Sequence, residues 1–265
     1  MSVLRSWVAA CGLMLCAVAP VGAASRATAI VYPSGPTVPE NLLRIELRFS
    51  APLLAPLSIE HVKLFDAEGR AIEDAFLDLP LPSADRRSVT LLLHPGRVKS
   101  GVGANVLFGR ALVAGSAVTL VVDDPALTTP VRKTWQVSAF DAAAPVPTRW
   151  TLDAPAAGSR QTLSVRLDAT ISSTAESLIA VRGPDGKRAK GRISLADAET
   201  MWRFTPDRVW SAGAYAVVVH PDLEDPAGNR SCAAFELRDE SRTRCNESIE
   251  KPFQISKRKE ITRLR

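Results

Sequence analysis

A chain of 265 residues is longer than most single domains, so two domains of about 100 to 120 residues each are expected. The formal net charge of +5 suggests a polyanion-binding protein only until the charges are located. The last nine residues, KRKEITRLR, carry a net charge of +4, and Arg5 supplies the remaining charge. The rest of the chain is neutral, which argues against a broad basic surface that binds nucleic acid.

The N-terminus, MSVLRSWVAACGLMLCAVAPVGAAS, predicts a signal peptide over residues 1–24. Arg5 precedes an apolar run from Trp7 to Val21, and small residues follow it. An uncleaved anchor is the alternative, but the run is short for a bilayer span and Pro20 interrupts it. We therefore expect an exported, periplasmic or extracellular protein with no transmembrane span in the mature chain.

Removal of the signal peptide leaves Cys232 and Cys245 as the only cysteines. An even pair in an oxidising compartment predicts one disulfide, which closes the segment CAAFELRDESRTRC. Such a closure stabilises the fold by about 3 kcal/mol in the loop-entropy account. A metal site is disfavoured because no second pair of ligands lies nearby, and a redox site because no C-x-x-C is present.

Alternation of apolar and polar residues predicts an all-β protein. In LLRIELRFSAPL, apolar residues from Leu43 to Phe49 alternate with Arg44, Glu46 and Arg48, so one face is expected in a core and the other in solvent. The same pattern predicts strands at Val62–Phe65, Val89–Leu93, Val118–Val122 and Trp135–Val137.

The signals then repeat. DAAAPVPTRW predicts a short, stiff linker at residues 141–148, after which LRIELRFSAPL is matched by LSVRLDATIS and HVKLFDAEGRAI by LIAVRGPDGKRAK. RRSVTLLLHPGRV is matched by ETMWRFTPDRV, LVAGSAVTLVVDDPAL by WSAGAYAVVVHPDLEDPAGN, and KTWQVSAF by either AAFEL or KPFQI. The order predicts two Ig-like β-sandwiches of about seven strands each, at residues 25–140 and 149–256, and then a basic tail at 257–265.

At these residues the chain resembles tandem bacterial Ig-like domains of the S-layer and cell-envelope type. That family opens with F-S-x-P and ends each unit with G-x-Y-x-V-x-V and then D-x-x-G-N. The matching residues here lie at Phe49–Leu53, Gly213–Val219 and Asp225–Asn229. PENLLR at Pro39–Arg44 is similar to a group of exported bacterial proteins that carry it before the first strand.

The resemblance covers residues 30–237 and implies the fold, but no catalytic activity. Two segments depart from the family pattern. The first copy has DDPALTTP where D-x-x-G-N would stand, and the second has DATIS where F-S-x-P would stand. Strand limits are therefore least defined at these two edges.

The acidic segment with Asp222, Glu224, Asp225 and Asn229 has two interpretations. As a turn, Gly228 and Asn229 supply positive φ angles and Asp225 accepts backbone N–H groups. As a calcium site, it would need about six to eight converging oxygens at regular spacing, which the segment does not show. We favour the turn.

Other chemistry is sparse. His94 and His220 each precede a proline, which favours a turn-flanking role, and His61 precedes a strand. A periplasmic copper-type carrier on this scaffold is disfavoured because the predicted mature N-terminus has no histidine and only Met201 remains. No G-x-S-x-G occurs, so we expect no catalytic, cofactor or metal residues. A triad assembled in space, and hence a hydrolase, stays the alternative.

The tryptophans favour packing over an exposed carbohydrate-binding row. Trp202 alternates with Phe204 in a predicted core strand, and Trp210 leads into the last hairpin. Trp135 and Trp150 flank the linker, where they are expected to pack at the junction and limit bending between the domains.

The sequence therefore predicts a non-catalytic, exported binding or structural module of the cell envelope or periplasm. Candidate binding loops are SGPTVPENLLR, at Ser34–Arg44, and the hairpin closed by the predicted disulfide. Candidate partners are envelope proteins, wall polymers, or an anionic surface that contacts the basic tail. The tail can equally be a solvated terminus without a partner.

Overall fold

The computed structural model describes residues 26–99, 103–231 and 247–256. The predicted signal peptide, Cys232 and Cys245 with their disulfide, and the basic tail lie outside the described residues. No helix in the described ranges is both long and apolar enough to cross a bilayer. The described part of the chain is all-β, as the alternation predicts.

The first sandwich consists of two four-stranded sheets with the orders β1-β3-β6-β5 and β2-β8-β7-β4. All neighbouring strands are antiparallel except β2 and β8, which are parallel. Two short helices, α1 (Pro95–Val98) and α2 (Gly103–Phe108), connect β6 to β7. The strands are β1 (Ala29–Tyr32), β2 (Thr37–Pro39), β3 (Arg44–Phe49), β4 (Val62–Phe65), β5 (Leu81–Pro82), β6 (Ser88–Leu92), β7 (Ala117–Val122) and β8 (Val131–Ser138).

The second sandwich has sheets with the orders β12-β13-β10-β9 and β11-β14-β15, all antiparallel. Of the two segments expected to provide its last strand, KPFQI lies in β15 and pairs with β14, whereas AAFEL lies outside the described residues. The strands are β9 (Thr151–Asp153), β10 (Leu163–Arg166), β11 (Ile179–Arg182), β12 (Gly191–Ala196), β13 (Met201–Pro206), β14 (Gly213–Val219) and β15 (Ile249–Ile255).

The strand orders are those of immunoglobulin domains. In Ig lettering, each unit has strands A, B, E and D in one sheet and C, F and G in the other, and β2 is an additional A′ strand. Both units are therefore Ig-like sandwiches, as predicted. Each has its own core, which runs from Ala27 to Val137 in the first and from Trp150 to Ile255 in the second. The exact domain limits stay a prediction.

Side-chain alternation forms the cores. In β7, Val118, Leu120 and Val122 are buried while their neighbours are partly exposed. All four tryptophans of the described ranges are buried, so an exposed aromatic row on those residues is excluded: Trp135, Trp150, Trp202 and Trp210. Trp135 and Trp150 lie in separate cores, so the prediction that they pack together at the junction is wrong.

Candidate binding site at the junction of the two sandwiches

The polar face of β3 is not in solvent, contrary to the prediction. Glu46 is only 5% exposed. The apolar side of β3 is buried as predicted, but a 3₁₀ turn of the second sandwich, Ser173–Leu178, lies over the polar face and supplies partners for it. A second domain that covers one sheet face cannot be recognised from the alternation within that strand.

Four residues form a charged network across the junction. The Arg48 Nε donates to Glu46 Oε1 at 3.0 Å, and its Nη2 donates to the Ser173 carbonyl oxygen at 2.8 Å. The Ser173 hydroxyl donates to Glu46 Oε2, and Arg48 Nη1 lies 3.0 Å from Glu176 Oε1. One arginine is thus shared between two carboxylates that belong to different sandwiches.

The environment shifts the pKa values of this network. Burial raises the pKa of Glu176 above its usual value, and the Arg48 charge offsets only part of that increase. Burial acts to lower the pKa of Arg48, but the hydrogen bond with Glu46 and the charge of Glu176 outweigh it and raise that pKa. Arg48 is therefore permanently charged, and Glu176 is a carboxylate with weakened solvation.

A cleft of about 590 Å³ opens beside this network, between β5, β6 and the 3₁₀ turn. Its walls carry charges of both signs and several hydroxyl groups. Glu176 Oε2 is buried at the wall and has no hydrogen-bond partner among the described residues. An acceptor oxygen in that state favours a ligand that brings a hydroxyl, amine or guanidinium donor. Residues outside the network that line the cleft are Leu81, Pro82, Ser83, Asp85, Arg87, Ser88, Thr90, Thr174 and Ser177.

A second junction contact joins the start of loop Ser34–Arg44 to the turn between β12 and β13. The Ser34 N–H donates to Glu199 Oε2 at 3.0 Å, and its hydroxyl donates to Oε1 at 2.5 Å. Glu199 is buried. Its turn, residues 197–199, has three consecutive non-glycine residues with φ between 53° and 58°, a conformation disfavoured for L-residues. The strained turn directs the Glu199 carboxylate at the first sandwich.

The end of the same loop meets the acidic turn of the second sandwich at the linker. The Asn41 Nδ2 donates to the Asp141 carbonyl oxygen at 2.8 Å, and Asn41 Oδ1 accepts the Asp141 N–H at 2.9 Å. The Asn229 Nδ2 donates to the same carbonyl at 2.9 Å. PENLLR and the D-x-x-G-N turn, distant in sequence, therefore hold one linker peptide between them.

Two further contacts complete this part of the junction. The Leu43 N–H donates to the Pro226 carbonyl oxygen at 3.0 Å, and Arg44 lies 2.6 Å from Glu224. Much of loop Ser34–Arg44 is thus engaged within the chain. Its recognition of an external partner stays a prediction.

The linker is held along its length. Besides Asp141, the Val146 N–H donates to the Asp168 carboxylate at 3.1–3.2 Å, and the Lys251 Nζ donates to the Thr148 carbonyl oxygen at 3.0 Å. Hydrogen bonds thus contact the linker near its start, middle and end, whereas the stiffness expected from its prolines stays a prediction.

The acidic segment forms a turn. Asp225 Oδ1 accepts the Asn229 N–H and Oδ2 accepts the Asn229 Nδ2, both at 2.8 Å. Gly228 has the predicted positive φ of 81°, but Asn229 is not among the residues with positive φ, so that part of the prediction is wrong. Burial raises the pKa of Asp225 to about 6, with the bonds from Asn229 opposing the shift.

The acidic groups of this turn do not converge. Asp222 pairs with Arg230 at 2.9 Å, Glu224 pairs with Arg44, and Asp225 is turned inward onto Asn229. Within residues 26–99, 103–231 and 247–256, no cluster of three or more His, Cys, Asp or Glu side chains could hold a metal ion.

The three histidines lie apart. His94 Nδ1 accepts the Gly96 N–H at 3.0 Å and caps α1, and His220 Nδ1 accepts the Asp222 N–H at 3.2 Å. These contacts confirm the turn-flanking role expected for both. His61 Nδ1 lies 2.7 Å from Asp124 Oδ2, a pairing between residues 63 positions apart that no local sequence pattern indicates. In a catalytic triad, a serine, threonine or cysteine side chain would hydrogen-bond to the histidine ring. Among the described residues, no such side chain hydrogen-bonds to His61.

No protein-family model matches the chain, and no curated protein matches it. Solved structures match at low identity. A titin tandem of two Ig domains is 13% identical over 84% of this chain and 91% of its own, with a TM-score of 0.27. A chimeric titin Z1Z2 tandem that carries a decorin peptide is 14% identical over 74% and 90%, with a TM-score of 0.26.

A third match is a fragment of Drosophila OTK, extracellular domains 3–5, which is 8% identical over 88% of this chain and 60% of its own, with a TM-score of 0.20. Similarity at this level carries no argument about ligands or partners. The Ig-like assignment rests on the strand orders and separate cores of this chain.

Proposed function

We propose that this chain is a non-catalytic, exported protein in which two Ig-like sandwiches act as one rigid binding or structural module of the bacterial envelope or periplasm. The observation that carries the proposal is the charged network across the junction, in which Glu46 and Ser173 are buried and Arg48 and Glu176 are partly buried. Separating the sandwiches would break this network, and buried charges that lose their partners are costly. A fixed angle between domains suits a spacer or a two-domain recognition surface.

The cleft beside the network is the site we propose for a ligand of this module. Its hydroxyl groups, its charges of both signs and the unpaired Glu176 Oε2 favour a polar, donor-rich ligand such as a wall polymer over an apolar one. The test is co-sedimentation of the mature chain with purified wall polymers. We expect Glu176→Gln to weaken binding by about threefold or more, since one acceptor becomes a donor.

The matched control is Glu60→Gln, an exposed carboxylate outside the cleft. Equal weakening by both variants would mean that binding depends on the overall charge of the protein and not on the cleft. No binding by the native chain would contradict a wall-polymer ligand, but would leave the rigid module untouched.

Rigidity and export have separate tests. The distribution of distances between labels on the two sandwiches is expected to be narrow and to broaden in Ser34→Ala combined with Glu199→Gln. A broad distribution in the native protein would contradict the rigid module. Fusion of residues 1–24 to a reporter that is active only after export is expected to yield activity, and an inactive fusion would contradict export.

The rival function is a periplasmic metal carrier or hydrolase, which the pairing of His61 with Asp124 at 2.7 Å favours. Metal analysis of the protein purified from the periplasm separates the two functions. Stoichiometric copper, zinc or calcium would favour the rival, and loss of that metal in His61→Gln would locate it.

A further inference from the structure

Helix α2 carries three consecutive large apolar side chains in solvent. Val106 and Leu107 are each 77% exposed and Phe108 is 63% exposed. Isolated exposed apolar residues are common on protein surfaces, but a contiguous group marks an interaction site. Val113, at the far side of the same connection, is also exposed.

This helix belongs to a segment that the second sandwich lacks. PGRV at Pro95–Val98 is matched by PDRV at Pro206–Val209, and LVAG at Leu112–Gly115 is matched by WSAG at Trp210–Gly213. Residues 99–111 therefore have no counterpart in the second copy. Since the second sandwich folds without them, the Ig-like framework does not require α2.

The base of the segment is firmly attached. Buried Arg97 donates through Nε to the Gly109 carbonyl oxygen at 2.9 Å and through Nη1 to the Glu73 carbonyl oxygen. The Ala111 N–H donates to the Arg97 carbonyl oxygen at 3.0 Å, and the side chains of Ala111 and Leu112 are buried. The apolar residues of α2 thus protrude from an anchored base.

The arrangement of the three side chains favours a lipid over a protein groove. Successive residues of a helix point about 100° apart, so Val106, Leu107 and Phe108 together cover about 200° of the helix surface. A helix that docks in a protein groove presents residues at i, i+3, i+4 and i+7 on one stripe. A tip that is apolar on most sides needs an apolar medium around it, such as the boundary between lipid headgroups and acyl chains.

The charge of the surrounding sequence fits an anionic surface. Between Pro95 and Val122 there is no Asp or Glu, while Arg97, Lys99 and Arg110 are positive. Arg110 lies 3.7 Å from Glu40, which offsets its charge, whereas Arg97 donates to neutral carbonyl oxygens and keeps its charge, so the segment is basic. Anionic lipid headgroups would meet no like charge within this stretch, and the carboxylates beside it belong to Glu40, which lies against Arg110, and to the exposed Glu73 and Asp74 at its base.

We propose that α2 is a membrane-contacting tip that places Val106, Leu107 and Phe108 in the interfacial layer of an anionic lipid surface. The contact is peripheral and reversible, because three side chains are too few to anchor a protein. It is separate from the junction cleft and from the basic tail, and would bring the module to the membrane side of its compartment.

The experiment is co-sedimentation of the mature chain with vesicles of phosphatidylcholine and phosphatidylglycerol. The variant Val106→Ser/Leu107→Ser/Phe108→Ser is expected to lower the partition coefficient by about tenfold or more, since apolar area is lost from the tip. The matched control is Ile30→Ser/Leu54→Ser, which removes apolar side chains of 60% and 65% exposure elsewhere on the first sandwich and should change it by less than about twofold.

Unfolding curves check that both variants keep the native stability. Binding of the triple variant equal to that of the native chain would overturn the proposal, as would an equal loss in the control. Absence of vesicle binding by the native chain would also overturn it, and self-association that the triple variant abolishes would then assign the tip to a protein interface.

Discussion

The D-P-A turn occurs in both sandwiches, and its two copies show how the same local sequence acquires different roles. In the first, Asp124 pairs with His61 at the end of the domain away from the junction. In the second, Asp225 is buried against Asn229, and the adjacent Pro226 carbonyl accepts a hydrogen bond from the first sandwich. The turn chemistry is local, whereas burial depends on which surface a neighbouring domain covers.

The connections between strands E and F differ more strongly. In the second sandwich, Trp210 packs edge-on against Tyr215, and the Tyr215 hydroxyl donates to the Ser211 carbonyl oxygen at 3.2 Å, a tyrosine corner. In the first sandwich, Ala117 stands where Tyr215 stands in the repeat, and the connection is longer and carries α2. One connection closes a core, and the other exposes apolar residues.

The largest effect is expected where the sandwiches meet. Arg48→Ala leaves Glu46 and Glu176 without their shared cation and should lower the free energy of unfolding by about 3 kcal/mol. The repeat provides the control, because Arg166 occupies in β10 the place of Glu46 in β3 and is exposed. Arg166→Ala should cost less than about 0.5 kcal/mol in urea unfolding. Equal losses in the free energy of unfolding would mean that the junction arginine stabilises the protein no more than an exposed arginine does.

The D-P-A turn of the second sandwich should make the stability of the protein depend on pH. The pKa of Asp225 in the folded chain is about 6, above the unfolded value of about 3.9, so the folded state holds this proton more tightly. Its contribution to stability is complete below pH about 4 and is lost as the pH rises through about 6.

The measurement is the difference in free energy of unfolding between native protein and Asp225→Asn at several pH values. We expect the native protein to lose about 2–3 kcal/mol relative to the variant between pH 4 and pH 7.5. The negative charge of nearby Asp141 adds to the raised pKa of Asp225 by repulsion. If the difference in free energy of unfolding did not vary with pH, this would contradict the raised pKa of Asp225.

The tyrosine corner should contribute less. Tyr215→Phe keeps the ring contacts and removes the hydroxyl, and we expect it to destabilise the second sandwich by about 1 kcal/mol. Ser211→Ala, which keeps the backbone acceptor, should cost less than Tyr215→Phe in the same thermal unfolding experiment. The reverse order would assign the hydroxyl's main bond to the Ser211 side chain, which lies 2.9 Å away.

The smallest effect is expected at the strained turn of the second sandwich, which has three consecutive non-glycine residues with positive φ, whereas the matching turn of the first, between β5 and β6, has one, Arg86 at 56°. Ala198 has φ of 53°, so Ala198→Gly should stabilise the protein by about 0.5–1 kcal/mol. Ala196→Gly, two residues away within β12, should instead destabilise it by a similar amount. Destabilisation by both variants would show that the turn is not strained.

The strands could be predicted wherever alternation is local. The sequence predicts β7 and β13 correctly because their apolar side chains face a core formed by their own sandwich: Val118 and Leu120 in β7, and Trp202 and Phe204 in β13. The site could not be predicted, because the partner of Glu46 is Ser173 and the partner of Ser34 is Glu199, each more than 120 residues away. No periodicity within either segment encodes such a pairing.

Asn41 and Asn229 illustrate the same limit from the opposite side. Their local sequence predicts a loop residue for Asn41, in PENLLR, and a turn residue for Asn229, in D-x-x-G-N. Their side chains meet at the Asp141 carbonyl. Two polar side chains that are buried together in the fold can look, in sequence, like two unrelated solvent-exposed residues.

The amino-acid sequence by itself determined that this chain forms two all-β units in tandem, because strand periodicity, turn residues and the order of the repeat are all local properties. Only the tertiary structure decided which polar face is covered, which carboxylate is desolvated and which apolar helix stays exposed. Those outcomes depend on how two finished sandwiches pack, since burial and charge pairing are set by surfaces brought together from distant parts of the chain.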